Sequence, residues 1–192
     1  MIDGQISEGW RDLAHYLSAL AAGERESVSA QTGWRLSEDP EETLRMLAAT
    51  LDLLDGAASD FAALAGVRLA LEGGDRGLAT KLGEVAVQLA GSVGERQLAH
   101  ACLAQSAFRF RKDPESLAAF ERHCEAAIAL EHAGTFCYER LAVLYEYRGE
   151  TESAVEVCEK AAAALSASGD GRSAERFRKK AQAIRNRKNK SG

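Results

Sequence analysis

The chain has 192 residues, 46% of them hydrophobic, a net charge of −5, and only two prolines, Pro40 and Pro114. Its abundance of Ala and scarcity of β-branched and aromatic residues favour helix and argue against a sheet protein. No uncharged apolar run of about 18 residues exists, since Arg68 interrupts the best candidate, and Met1-Ile2-Asp3 is not the basic start of a signal peptide, so a cytoplasmic protein without a membrane span is expected.

Helical units follow one another in chain order. The first is predicted over residues 7–22. Ser7 would cap it, Trp10, Leu13, Leu17 and Leu20 would share a face, and Gly23 would end it in the left-handed region. Residues 24–37 are polar and fit a short helix or a loop, with Trp34 as an anchor. Asp39-Pro40-Glu41-Glu42 is a helix start. The aspartate can accept from a free backbone N–H, the proline needs none, and the glutamates suit the positive helix end. Leu44, Leu47, Leu51 and Leu54 then recur on one face as far as Gly56. Further helices are expected at 59–73, 76–90, 95–112, 114–131, 134–148, 151–167 and 171–188, with Asp113-Pro114 repeating the cap-plus-proline start. Short loops between such helices make antiparallel neighbours. Residues 1–60 show helices without a clear repeat, and 61–192 read as a helical array, the two together as one domain or two.

The stretch 135–168 carries a repeat pattern: Tyr138, Leu141, Ala142, Tyr145, Gly149, Ala154, Cys158 and Ala161. Ala142, Ala154 and Ala161 are small where helices must approach closely, the bulky residues give the first helix a face to bury, and Gly149 makes the turn. On these residues the stretch resembles a tetratricopeptide repeat. It departs from the family at Cys158, where a bulky residue is usual, and at Ser166, where proline is frequent. A degenerate second copy is expected through Leu103, Ala107, Phe110, Ala119 and Ala126, and a weaker third at 61–90 with Ala79 and Ala86. The last helix, with Ala174, Phe177, Ala181 and Ile184 on one face, looks like the capping helix that such arrays need. The fold class expected is therefore all-α, antiparallel hairpins stacked as a short α-solenoid.

Members of this family are usually interaction scaffolds. The resemblance implies a groove on the first helices of the hairpins, lined here by Ala104, Phe108, Phe136, Glu139, Val143 and Tyr147, and a protein or peptide partner with an apolar helical or extended segment. The subclass that clamps the acidic carboxyl ends of heat-shock chaperones uses Lys, Arg and Asn, and this groove lacks them. A second copy of the chain is another partner that such a surface fits. Burial of the same residues under the chain's own N-terminal helices is the competing expectation.

Residues 172–190 hold nine basic side chains against Glu175 alone, a net +8, which leaves −13 on the rest of the chain. Arg172, Arg176, Lys179, Lys180 and Arg187 lie away from the apolar face of that helix. They could contact phosphates, the basis of an alternative as a nucleic-acid-associated accessory domain, or serve as a solvated capping face. Leu144-Tyr145-Glu146-Tyr147-Arg148-Gly149 also resembles the helical-repeat tail of some bacterial nucleases, which would make this chain an accessory part without the catalytic domain. Chemistry has no motif. Cys102, Cys124, Cys137 and Cys158 form no C-x-x-C pair and are expected as free, buried thiols. His15, His100, His123 and His132 are scattered, so no metal site, cofactor or catalytic residue is expected.

Overall fold

The helix starts written in the sequence at Asp39 and Asp113 are used, and Asp75 opens a helix in the same way. Asp39 accepts from the backbone N–H of Glu41 at 3.0 Å, with Pro40 opening the helix. Asp75 accepts from that of Leu78 at 2.9 Å and Asp113 from that of Ser116 at 2.9 Å. The computed structural model describes residues 6–51 and 56–191, with side chains as far as Arg187. It is all-α, 81% helical, with no strand among the described residues. None of their helices is long and apolar enough to cross a membrane.

In order the helices are α1 (Glu8–Ala19), α2 (Ala22–Thr32), α3 (Pro40–Thr50), α4 (Ala58–Arg68), α5 (Arg76–Leu89), α6 (Val93–Arg109), α7 (Pro114–Ala129), α8 (Thr135–Arg148), α9 (Thr151–Ala167) and α10 (Gly171–Ser191). A five-residue π-helical turn, Leu69–Gly73, prolongs α4.

Several boundaries differ from the sequence reading, most visibly around the first three helices. The first helix stops at Ala19, three residues early, because Arg25 donates its guanidinium to the carbonyls of Ser18 and Leu20 and so takes over acceptors that a further turn would have used. The chain restarts at Ala22, where the Glu24 carboxylate accepts from the Ala21 N–H at 3.1 Å, and Gly23 lies inside the new helix rather than ending the old one. Ser7 makes no side-chain cap. The third helix ends at Thr50, with Leu51 extended; Asp52, Leu54 and Asp55 lie outside the described residues.

Contacts divide the chain into two compact units, Met1–Phe120 and Glu121–Gly192, the boundary falling inside α7. In the first, α1 packs on α3 and α4, α4 on α5 and α6, and α5 on α6. One buried cluster runs from Trp10 to Cys102, through residue 60 without a break. Two polar groups are bonded across it: Trp10 Nε1 donates to Gly56 O at 2.9 Å and Ser18 Oγ bonds Thr43 Oγ1 at 2.9 Å. Helices α4 and α5 meet at Gly66, where an added Cβ would lie 2.9 Å from the carbonyl oxygen of Ala79. In the second unit α8 packs on α9 and α9 on α10.

Candidate partner-binding face

The second unit shows how the repeat-like stretch is used. Tyr138, Leu141 and Tyr145 are buried on one face of α8, and Ala142, Ala154 and Ala161 are fully buried between the helices. A larger side chain at any of those alanines would hold the helices apart. Gly149 ends α8 at φ 76° and passes the chain into α9, a conformation that costs glycine nothing. Cys158, at the family's bulky position, is fully buried as well. Burial pushes its thiol up to about 11. All four cysteines are buried.

Two side chains on α8 also bond toward α7. Tyr145 Oη donates to Glu125 at 2.8 Å, and Arg148 holds both oxygens of Glu121 at 2.9 Å. Burial first, and then the Glu125 bond, raises the Tyr145 phenol well above its ordinary range.

The basic helix α10 closes the unit. Ala174, Phe177, Ala181 and Ile184 are buried, and the Phe177 ring meets Tyr138 edge-on at 6.1 Å. Its flanks are matched to acidic neighbours. On the α8 side Arg176 binds Glu139, and Glu146 takes both Lys180 at 3.2 Å and Arg187 at 2.7 Å. On the α9 side Arg185 binds Glu159. Arg178 and Lys179 approach Glu175 at 3.5 and 3.9 Å. Arg172 is exposed near the N-terminus of α10, where Asp170 accepts from the Ser173 N–H at 3.0 Å. Much of the positive charge that stood out in the sequence therefore faces carboxylates of the same unit.

Comparison with known proteins gives no match to this chain, neither a family model nor a curated protein nor a solved structure.

The six residues expected to line a groove fall in different environments. Ala104 is fully buried and presents no surface to a partner. Phe108 is half-buried in the first unit, its ring 5.1 Å from that of Phe120 with the Arg111 guanidinium 4.5 Å above it. Phe136 is half-buried, and Glu139 is taken up by Arg176. Val143 and Tyr147 are 53% and 89% exposed, one helical turn apart on α8. The sequence reading missed the large cleft on the other side of α8, between it, α7 and α9. Its signal was the second apolar series of α9, Val157, Ala164 and Ala167, which the repeat pattern does not use.

Proposed function

We propose that this chain is a protein-binding scaffold of tetratricopeptide type, and that the outward face of α8 receives a helical or extended apolar segment of a partner. One observation carries the reading: Tyr147 and Val143 stand exposed on a helix that already buries a complete apolar face through Tyr138, Leu141 and Tyr145. A helix apolar on two sides has more surface to bury than one hairpin offers. Aromatic side chains of this kind anchor protein interfaces because they desolvate a large area at small entropic cost. The repeat assignment is supported by three alanines buried between helices and by the left-handed Gly149 turn. The pairing of Arg176, Lys180, Arg185 and Arg187 with glutamates counts against a nucleic-acid role for α10, since phosphates would have to displace those carboxylates.

The test is affinity capture followed by titration of the captured partner with wild type, Val143→Arg and Tyr147→Ala. Both side chains are exposed, so far-UV circular dichroism should not change. Each substitution is expected to weaken binding by about 2 kcal/mol, the scale of an interface anchor. Undiminished binding by both variants would remove the assignment to α8.

A further inference from the structure

We infer that the second unit has another docking site, a cleft formed by α7, α8 and α9, and that its occupant is an amphipathic helix with a basic residue toward each end. The cleft has a volume of about 770 Å³ and is lined entirely by residues of this unit. Along α8 its residues are Tyr138, Leu141 and Tyr145. At 3.6 residues per turn these lie about half a turn around the helix from Val143 and Tyr147, so the two surfaces face opposite ways.

Length, shape and charge select the occupant. The α9 wall runs from Ser153 to Ala167, about 21 Å at 1.5 Å per residue, which matches roughly four turns of a partner helix. Ala163, Ala164 and Ala167 keep that wall low, above a largely buried floor that includes Ile128, Leu141 and Val157. A helix laid there meets small residues on one side and branched aliphatics on the other, the arrangement that ridges-into-grooves packing needs.

Three carboxylates, Glu125, Glu131 and Glu156, line the cleft against one ammonium, Lys160, which is already paired with Glu156 at 2.7 Å. Glu131 follows the end of α7, and Glu156 is in the first half of α9. Because α8 runs back between them, α7 and α9 point the same way, and the end of α7 and the first half of α9 belong to opposite ends of the cleft. With Glu156 already matched by Lys160, the net negative charge of the cleft rests on Glu125 and Glu131, so an acidic segment is repelled and a segment flanked by Lys or Arg is attracted.

A buried group also points to a missing partner. Tyr138, 1% exposed, lines the cleft, and its hydroxyl has no hydrogen-bond partner in the structure. A buried hydroxyl left without a bond is costly. A polar side chain carried in with the helix would complete it.

The experiment is fluorescence anisotropy on the full chain with two labelled peptides of about 18 residues, helical by design. Both carry the same Leu/Ala stripe, one flanked by lysines and the other by glutamates. The lysine peptide should bind and the glutamate peptide should bind about tenfold more weakly, a difference of roughly 1.4 kcal/mol. Ala164→Arg, which fills the cleft, should weaken the lysine peptide by a similar factor, whereas Val143→Arg should leave it unchanged. Tyr138→Phe should weaken it without lowering the melting temperature. If Ala164→Arg lowers the melting temperature, the double variant Glu131→Gln/Glu156→Gln replaces it, since both carboxylates are exposed, and the same loss is expected. Absence of binding by the lysine peptide, equal binding of the two peptides, or full affinity in the cleft variants overturns the proposal. A loss with Val143→Arg instead would place the peptide on the outward face of α8.

Discussion

Gly66→Ala tests the closest helix contact in the first unit. A methyl group there would sit 2.9 Å from the carbonyl oxygen of Ala79 and 3.4 Å from the backbone nitrogen of Gly83, both on α5. Neither atom can rotate away, because each belongs to the backbone of a packed helix. The two helices must separate, and forced expansion of a packed core costs about 1–3 kcal/mol. Against this, alanine in place of glycine inside a helix contributes up to about 1 kcal/mol. The net expectation is a loss on the order of 1–2 kcal/mol. Gly83→Ala provides a second comparison. Its Cβ would lie 2.3 Å from Cδ2 and 2.6 Å from Cγ of Leu103, a buried side chain that must move as a whole, so a loss is expected there as well. Gly77→Ala is the control, for its Cβ would meet only Asp75 Oδ1 at 3.7 Å. Urea unfolding followed by tryptophan fluorescence reads this unit directly, since Trp10 and Trp34 both belong to it and both are buried. The expected midpoints are Gly77→Ala at or above wild type, with Gly83→Ala and Gly66→Ala both below it. A Gly66→Ala midpoint at or above wild type would refute the packing argument.

Two more expectations concern the second unit. Glu131 holds φ 59° just after α7, with the His132 N–H returning to Ala127 O at 3.0 Å, a left-handed helix end that glycine adopts without strain. Glu131→Gly should therefore raise stability by about 0.5–1 kcal/mol in chemical denaturation, and a fall would mean that the carboxylate makes a stabilising contact of its own. Alkaline pH should destabilise this unit. Burial raises Cys158 from 9.0 to about 11 and Tyr138 from 10.0 to about 12, so the unfolded chain releases these protons before the folded one does. Their stabilising effect is complete below pH 9 and is lost as pH rises toward 12, at about 1.4 kcal/mol per pH unit for each group in its window. Denaturation at pH 8 and pH 10.5, with Cys158→Ala as the comparison, measures it. Equal loss in wild type and variant would assign the effect to other groups.

The helical class, the helix starts at Asp39 and Asp113, the turn at Gly149 and the alanines that let α8 and α9 close together were legible in the order of residues. Each depends on local chemistry: a carboxylate beside a free N–H, a residue without a Cβ, or a small side chain recurring at helical spacing. Tertiary structure decided the rest. The end of α1 depends on Arg25, which reaches back to carbonyls of the preceding helix, and no local pattern records that contact. The same holds for the surface of the second unit. Val143, Tyr147 and Leu141 are all apolar members of one helix, and only the packing of α7 and α9 separates the buried face from the exposed one. Charge followed the same rule. The +8 of the last helix was plain in the sequence, but whether those cations face solvent or carboxylates was fixed by where α8 and α9 place Glu139, Glu146 and Glu159. Composition counts charges, whereas the fold chooses their partners.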